Sequence, residues 1–379
     1  MLAFAAFAVA HVVGPGRSLA RSTVVQRRGM RRTAPVRMPE GPECLVHAQT
    51  LEHNLRGRQL RRALVLSGRY AGDGTAGRGG PPEHWDVLQR SLPLTVERVR
   101  CHGKFIHWSL VPQAVNTESR EAEESAASPP VSANAVSDGA AVASPLSFWS
   151  TLGMTGAWAV ERTVHSRVAF EFAPANDASA SASDALTLYF NDQRGFGSLT
   201  VCLEADQLAR KLGALGPSWL ADGGLPLDDF MEVVDAQCST KRRAQVAVAK
   251  FLMDQSKLAG IGNYLLSETL HRASVHPFAK CADLSGADWA QVHAAASNVT
   301  AASYAAQVNL ATARARGSLS LTHGTLGAMA QSGVFSLRVY RQTFDPVRGL
   351  PVRKETGPHG RSIFWVPEMQ TRGAPPADV

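Results

Sequence analysis

Residues 251–277 read FLMDQSKLAGIGNYLLSETLHRASVHP, and this stretch decides the fold of the C-terminal half. Gly260 and Gly262 lack side chains, so backbone amides at the start of the following helix can approach a phosphate group. Asn263 adds a side-chain donor, and Lys257 adds positive charge at the same turn. A lone Gly-x-Gly would be a weak signal, whereas the whole 27-residue run is specific. The stretch predicts an anion-binding turn at a helix N-terminus.

The residues around this stretch predict a helical domain over residues 225–316. Long runs rich in Ala, Leu and Val, such as RRAQVAVAKFLMDQ and WAQVHAAASNVTAASYAAQVNLATARA, are typical of helices. Further on, RVYRQTF (338–344) and RSIFWVPEMQ (361–370) are strand-like runs separated by Gly and Pro residues. We therefore expect a small β-hairpin within residues 335–370.

The N-terminal half carries a strand pattern instead. LTVERVRCHGKFIHWSLV (94–111) and LTLYFNDQRGFGSLTVCL (186–203) place β-branched and aromatic residues between turn signals. This pattern predicts strands of an antiparallel sandwich in a domain over residues 39–220. One helix is expected before the strands, because a set of residues follows a roughly helical spacing: Glu43, Val46, His47, Thr50, Leu51 and Leu55.

Two stretches interrupt the strand pattern, at about 112–146 and 174–185, and both are dominated by small and polar residues. Neither can bury enough apolar surface to offset the entropy lost on ordering, so we expect disordered loop insertions. The predicted fold class is α+β. It combines an N-terminal antiparallel β-sandwich lobe with flanking helices, a C-terminal helical domain and a β-hairpin.

The net charge of +7 does not by itself indicate a nucleic-acid partner. Seven of the 39 Lys and Arg residues lie in residues 1–38, which contain no acidic residue, so 32 basic residues remain against 32 acidic ones. Any DNA-binding face must therefore come from local clustering. The five widely spaced cysteines include no Cys-x-x-Cys pair, which argues against a disulfide scaffold and against a thiolate metal site.

Residues 1–38 predict a targeting extension. The apolar run LAFAAFAVAHVV (2–13) is too short to span a bilayer, and the Arg- and Ser-rich residues after it resemble an organelle presequence. Translation from Met38 is the alternative. The expected location is a mitochondrion or plastid if the extension is real and the nucleus otherwise. No other stretch approaches transmembrane length, so no membrane partner is expected.

The sequence MPEGPE (38–43) carries the candidate chemistry. Removal of Met38 would make Pro39 an N-terminal secondary amine, and terminal amines titrate near pH 8, so a large fraction is nucleophilic in the cell. Attack of this amine on a sugar C1′ would give an iminium ion directly. The adjacent Glu40 is the natural general acid for opening the sugar ring. A simple helix-entry turn is the alternative, since Pro and Glu are ordinary first-turn residues.

PEGPE is followed in order by GKFIHW (103–108), LGMTG (152–156), NDQRGFG (191–197), the stretch 251–277 and GRSIFW (360–365). This set resembles the formamidopyrimidine-DNA glycosylase and endonuclease VIII family over nearly the whole chain from Met38 to about Gln370. The resemblance implies a bifunctional DNA glycosylase and abasic-site lyase of base excision repair, which removes oxidised bases through a Schiff-base intermediate. Its partner would be double-stranded damaged DNA, and a monomer is expected.

The resemblance also implies roles for single residues at the lesion. Pro39 would be the nucleophile, Glu40 its acid–base partner, and Lys104 a contact to the phosphate beside the lesion. Three side chains would fill the gap left by an extruded base, namely Met154, Arg194 and Phe196. Glu43 is a candidate for the base pocket. Gly195 stands where many relatives have a second Arg, which removes one contact.

The resemblance places the remaining DNA contacts in the helix–two-turns–helix motif and in the hairpin. These phosphate-binding candidates are Lys257, Gly260, Gly262, Asn263 and Arg361. Most relatives carry two Cys-x-x-Cys pairs in the hairpin; the corresponding positions here are Val347, Leu350, Val366 and Met369. All four are apolar, so the resemblance implies a zincless finger without a cofactor, closed by a small hydrophobic cluster.

The sequence leaves the substrate range open. Oxidised purines and pyrimidines are distinguished by a pocket loop, here around residues 317–333, whose sequence favours neither; a zincless finger favours a broad range that includes pyrimidine lesions. The functional alternative is a non-catalytic damaged-DNA-binding protein of the same fold with a blocked N-terminus. A ribosomal type of helix–two-turns–helix protein explains neither PEGPE nor the finger.

Overall fold

The computed structural model describes residues 39–72, 79–112, 145–173, 185–315 and 335–375. These residues all belong to one compact unit, Pro35–Val379. The predicted extension, the loop around 317–333 and, apart from their end residues, both predicted insertions lie outside the described residues. Within the described residues, no helix has the length and apolar character needed to cross a membrane.

The N-terminal half is built on one eight-stranded sheet in which all neighbouring strands are antiparallel. The strands are β1 (Gln59–Val65), β2 (Leu94–His102), β3 (Phe105–Pro112), β4 (Leu146–Thr151), β5 (Ala157–Ala159), β6 (Ser166–Phe172), β7 (Leu186–Asn191) and β8 (Ser198–Cys202). Their order across the sheet is β5-β7-β6-β1-β2-β3-β4-β8. The predicted helix before them is confirmed as α1 (Gly41–Leu55), and α2 (Trp85–Ser91) follows β1.

Aromatic side chains close the sheet on itself. Trp108 on β3 lies 5.2 Å from Trp158 on β5 and 5.8 Å from Phe170 on β6, measured between ring centroids. Strands β3 and β5 stand far apart in the sheet order, so these contacts require the two ends of the sheet to face each other. The predicted antiparallel sandwich is thus confirmed, with its aromatic core between the two layers.

The C-terminal half is helical, as predicted. Its helices are α3 (Ala205–Gly213), α4 (Leu227–Cys238), α5 (Lys241–Ala244), α6 (Val248–Met253), α7 (Asn263–Arg272) and α8 (Gly286–Ala315). Residues Asn263 to His271 of α7 are all buried, although several of them are polar, so the polar groups of this helix need partners inside the protein. A two-stranded hairpin of β9 (Arg353–Thr356) and β10 (Ser362–Trp365) packs into the same hydrophobic core as these helices.

The prediction that RVYRQTF forms a strand of the hairpin is wrong. The buried carboxylate of Glu268 on α7 accepts the backbone N–H groups of Arg338, Val339 and Tyr340 at 2.9–3.0 Å. Those N–H groups are therefore unavailable to a partner strand, and Arg341 then turns the chain with a φ of 60°. The hairpin pairs Arg353–Thr356 with Ser362–Trp365 instead.

The four apolar residues at the finger positions were predicted to form a hydrophobic cluster, and three of them do so. Val366 is fully buried in the core, and Leu350 and Met369 pack against it while partly buried. Val347 is 63% exposed and lies outside the cluster, which corrects the prediction. The reason is local: the Val347 N–H binds the buried Asp345 carboxylate at 2.9 Å, within a loop that leaves the side chain in solvent.

Candidate active site

A cavity of about 630 Å³ lies where the sandwich meets the helical half. The sandwich side contributes Pro39, Glu40 and Lys104, and the turns after β4 and β7 contribute Met154 and Phe196. The helical side contributes residues from the turn before α7 and from the hairpin, including Gly262, Asn263 and Arg361. Eight of the candidate residues that the sequence singled out therefore line one cavity.

Close backbone contacts hold the first described residues of the chain beside this cavity. The Gly41 N–H donates to the Gly260 carbonyl at 2.9 Å, and a Cβ at Gly41 would lie 3.0 Å from the Gly260 Cα. Gly103, at the tip of the β2–β3 hairpin, also abuts this turn, where a Cβ would come within 2.6 Å of Ala259. Three backbones thus approach to a distance that only glycine allows.

The Glu40 carboxylate occupies the N-terminus of α7. Its oxygens accept the backbone N–H groups of Gly262 at 2.8 Å, Tyr264 at 2.8 Å and Leu265 at 3.2 Å. Burial raises the pKa of Glu40 from its ordinary 4.5 to about 7, although the Lys104 charge and the backbone hydrogen bonds act in the opposite direction. Glu40 can therefore hold or release a proton near neutral pH.

This arrangement corrects the expected role of the two glycine amides. The Gly262 N–H is taken by Glu40, and the Gly260 N–H donates to the Gln255 side chain at 3.0 Å. The anion at this helix N-terminus is consequently a carboxylate of the protein itself, which satisfies the same unpaired amides that a phosphate would. A side chain at Gly262 would overlap Glu40, with a Cβ placed 2.3 Å from the carboxylate carbon.

Lys104 lies beside Glu40 at the tip of the β2–β3 hairpin. Its Nζ donates to the Ile261 carbonyl at 2.7 Å, which holds the ammonium group against the turn before α7. Burial lowers the pKa of Lys104, and the Glu40 charge partly counters that effect. The lysine therefore faces both the candidate acid and any anion that enters the cavity.

Asn263 and Arg361 add polar groups to the lining of the cavity. The Asn263 Nδ2 donates to the Ser362 carbonyl at 2.8 Å, so α7 is tied directly to the hairpin that carries Arg361. Arg361 is exposed and lines the cavity. Lys257 is exposed on the preceding turn, and neither it nor Gly260 lines the cavity, whereas Gly262, Asn263 and Arg361 do.

The three candidate gap-filling residues lie together on two adjoining turns. The Thr155 hydroxyl donates to Asp192 at 2.7 Å and accepts the Arg194 N–H at 3.0 Å, which joins the turn after β4 to the turn after β7. Phe196 is 56% exposed, and the Arg194 guanidinium lies 5.1 Å from its ring centroid. Met154 and Phe196 both line the cavity, so an apolar edge stands at its mouth.

Glu43 does not line the cavity, which corrects its assignment to the base pocket. It is buried, and its carboxylate accepts the Glu40 N–H at 2.9 Å, the Tyr264 hydroxyl at 2.8 Å and the Gln307 amide at 2.9 Å. Tyr264 also shares a 2.8 Å hydrogen bond with Ser303 on α8. Glu43 is thus held inside the protein, where it fixes the backbone of Glu40.

Comparisons with known proteins identify the family. The formamidopyrimidine-DNA glycosylase N-terminal domain matches residues 38–199, and the formamidopyrimidine-DNA glycosylase H2TH domain matches residues 225–312. Together these matches cover both the sandwich and the helices that frame the cavity. The chain belongs to the formamidopyrimidine-DNA glycosylase family. The resemblance seen in the sequence is thereby confirmed, and the chain is a DNA glycosylase of base excision repair.

Formamidopyrimidine-DNA glycosylases from bacteria are similar to this chain over different lengths. The protein of Salinispora tropica is 28% identical over 341 residues, which cover 88% of this chain and 97% of that protein. The protein of Deinococcus radiodurans is 32% identical over 131 residues, which cover 33% of this chain and only 39% of that protein.

Solved structures of glycosylases of this family share the fold. The Lactococcus lactis glycosylase in complex with DNA containing an abasic site has a TM-score of 0.61 at 17% identity, covering 88% of this chain and all of that one. The Thermus thermophilus protein has a TM-score of 0.56 at 22% identity, covering 89% of this chain and all of that one.

The finger of this glycosylase does not fit the zinc site implied by the family resemblance. The four corresponding positions supply three aliphatic side chains and one thioether, and zinc in structural sites takes thiolate or imidazole ligands. Among the residues that the structure describes, no group of three or more His, Cys, Asp or Glu side chains could hold a metal ion.

Sequence reasoning missed several residues of the site. Gln255 lines the cavity and accepts the Gly260 N–H, while Tyr264 and Gln307 hold the Glu43 carboxylate and Gly103 allows the β2–β3 hairpin to approach Ala259. The contacts of Tyr264, Gln307 and Gly103 are with residues distant in sequence, so no local pattern reveals them. Lys211 on α3 also lines the cavity, where its Nζ lies 5.7 Å from the Phe105 ring centroid.

Proposed function

We propose that this glycosylase excises oxidised bases from duplex DNA and then cleaves the abasic site, using the amine of an N-terminal Pro39. One observation carries the proposal: Glu40, directly after Pro39, lies in the cavity with a pKa of about 7. A general acid and base works best when its pKa is near the operating pH. Lys104 stands on the same wall and would meet the phosphate beside the lesion.

The reaction begins with attack of the Pro39 nitrogen on C1′. The N–C1′ bond forms as the bond from C1′ to the base breaks. The proton that the secondary amine loses on bond formation goes to the departing base, and this loss restores the nitrogen lone pair. The C1′–O4′ bond then opens, its electrons go to O4′, which is protonated by Glu40, and the nitrogen lone pair forms the iminium double bond to C1′. Loss of a C2′ proton expels the 3′ phosphate, and a second elimination expels the 5′ phosphate.

This chemistry requires a free amine on Pro39. In the 379-residue chain the Pro39 nitrogen is an amide bonded to Met38 and has no nucleophilic lone pair. The active form accordingly begins at Pro39, either after removal of an organelle presequence or after translation from Met38 and loss of that methionine. The first route would place the enzyme in a mitochondrion or plastid, and the second in the nucleus.

The polar and apolar edges of the cavity suggest how DNA is held. Asn263 and Arg361 would bind phosphates on the lesion strand, while Met154, Arg194 and Phe196 would replace the extruded nucleotide in the base stack. Phe196 is suited to this role because its ring is more than half exposed and lines the cavity together with Met154, so it can reach a bound duplex. We propose a zincless finger and a substrate range that includes oxidised pyrimidines.

Borohydride trapping tests the proposal. Two proteins, one beginning at Pro39 and one of 379 residues, would be incubated with a duplex containing one abasic site and reduced with borohydride. We expect a covalent adduct from the Pro39 form alone. The matched control is the Pro39 form with an acetylated N-terminus, which keeps every side chain and removes only the amine. An adduct of equal yield from the acetylated protein would refute the role of Pro39.

A second candidate follows from the same amide. If residues 1–38 remain attached, the cavity can bind an extruded base but cannot form the iminium, which describes a non-catalytic damaged-DNA-binding protein. N-terminal sequencing of the native protein separates the two: Pro39 at the first position supports the enzyme, whereas a retained extension supports the binding protein. Absence of an adduct from the Pro39 form would also favour the binding protein.

A further inference from the structure

We infer that a second, cationic pocket binds a backbone phosphate of the undamaged DNA strand. This arginine pocket has a volume of about 140 Å³ and is lined by Arg69, Arg167 and Arg194. It shares no lining residue with the active-site cavity. The inference rests on the proposed function, because it supposes a duplex bound with Phe196 in the base stack.

The three arginines come from separate parts of the sandwich. Arg69 lies on the short 3₁₀ turn after β1, Arg167 on β6 and Arg194 on the turn between β7 and β8. Among the described residues, none of the three forms an ion pair. By contrast, Arg62 and Arg90 of the same lobe pair with carboxylates at 3.1 and 2.9 Å. The fold therefore gathers three arginine charges at one place.

Neutral groups hold two of these guanidinium groups in position. Arg167 donates to the Asp192 carbonyl at 2.8 Å and to the Ser67 hydroxyl at 3.1 Å, and Arg69 donates to the Gly197 carbonyl and the Tyr70 hydroxyl. A guanidinium has five N–H donors, so each arginine keeps donors for a ligand. Neutral acceptors fix the orientation of the arginines and leave their charge intact.

The charge of the arginine pocket suits a phosphodiester. Among the described residues that line it, Asp192 alone is acidic, and its carboxylate is buried and accepts the Thr155 hydroxyl and the Gly197 N–H. Because Arg194 is also assigned to the gap in the base stack, Arg69 and Arg167 alone face Asp192 in the bound duplex, and they leave an excess of one positive charge. A phosphodiester carries one negative charge, and its two free oxygens match the planar fork of a guanidinium.

The position of the arginine pocket points to the undamaged strand. The turn of residues 192–197 separates the two sites: Phe196 lines the active-site cavity, and Asp192 to Gly195 line the arginine pocket. If Phe196 is inserted beside the extruded nucleotide, the lesion strand passes through the cavity, and the pocket lies beyond the inserted ring. Gly195 leaves room there for a DNA backbone, because a Cβ at that position would meet no atom within 4 Å.

Gln193 offers a test that removes no native contact. It is exposed, lines the arginine pocket, and its side chain makes no hydrogen bond with described residues. Gln193→Glu should weaken binding of the full chain to a duplex with a tetrahydrofuran abasic analogue about five- to tenfold at low salt, and Gln193→Lys should strengthen it. Arg90→Gln changes the net charge as Gln193→Glu does, at a distant ion pair, and should leave affinity within about twofold.

Neutral methylphosphonate linkages, placed one at a time along each strand, locate the phosphate. One or two adjacent linkages of the undamaged strand should weaken binding of the wild-type protein, and the same linkages should have no further effect on Gln193→Glu or Arg167→Gln. Loss of one phosphate contact should also lower the slope of log affinity against log salt by about 1.

Two results would overturn the inference. In the first, every methylphosphonate linkage of the undamaged strand weakens binding of the variants as much as it weakens binding of the wild type. In the second, the linkage whose effect disappears in the variants lies on the lesion strand. Borohydride trapping on the same duplexes reports on the proposed function separately. An adduct from the Pro39 form without coupling refutes the arginine pocket alone. Coupling without an adduct refutes the proposed chemistry and leaves the pocket standing.

Discussion

Replacing Glu40 with glutamine should change the pH dependence of stability in a direction set by the buried carboxylate. The folded-state pKa of Glu40 is about 7, whereas its ordinary value is 4.5. The folded protein therefore binds a proton that the unfolded chain has released across this range. Because the folded-state pKa is raised, the contribution of Glu40 to stability is fully present below pH 4.5 and is lost as the pH rises through about 7.

The size of the effect follows from the same two values. The difference between 4.5 and about 7 corresponds to roughly 3 kcal/mol in total, of which about 2–3 kcal/mol lies between pH 5 and pH 8. The glutamine side chain of the Glu40→Gln variant would carry no charge and would show none of this dependence. It would instead leave one of the three N–H groups of Gly262, Tyr264 and Leu265 without an oxygen, at a pH-independent cost of about 1–3 kcal/mol.

Urea unfolding of the full-length wild type and Glu40→Gln, at steps from pH 5 to pH 8, measures the difference directly. All other titrating groups are common to both proteins, so their effects largely cancel. We expect the wild type to be more stable at pH 5, with its advantage shrinking by about 2–3 kcal/mol by pH 8. A stability difference that stays constant with pH would refute the assignment of a raised pKa to Glu40.

Three further outcomes are expected. Glu268→Gln should lower the free energy of unfolding by about 2–3 kcal/mol in urea titrations, because the buried carboxylate binds Arg272 and three backbone N–H groups of the finger. An unchanged urea midpoint would contradict this role of Glu268. Phe196→Ala should leave the melting temperature nearly unchanged, because the ring is 56% exposed, but should slow excision from a lesion duplex; equal single-turnover rates would exclude its insertion. A zinc chelator should alter neither melting temperature nor abasic-site cleavage, because the finger lacks ligands, and a chelator-induced loss reversed by zinc would disprove this.

Patterns local in sequence were enough to predict much of this protein. The helical spacing before Leu55, the strand runs that became β2, β3, β7 and β8, and the Gly-x-Gly turn before α7 are encoded by neighbouring residues. Pro39 was a candidate from its own chemistry, Lys104 and Phe196 were candidates because their motifs resemble the family, and the structure places all three around one cavity. Secondary structure can be predicted in this way because backbone preferences and hydrophobic periodicity act over a few neighbouring residues.

Tertiary structure decided where the buried polar groups found their partners. The sequence predicted a phosphate at the N-terminus of α7, but Glu40 occupies that position. Its carboxylate accepts the N–H groups of Gly262 and Tyr264, which lie more than 200 residues away in the chain. Glu268 likewise takes the N–H groups of residues 338–340, so the expected strand does not form. Arg69 and Arg167 converge only because β6 pairs with β1. A buried N–H or carboxylate must be paired, and which group pairs it depends on the packing of distant segments, which no local pattern contains.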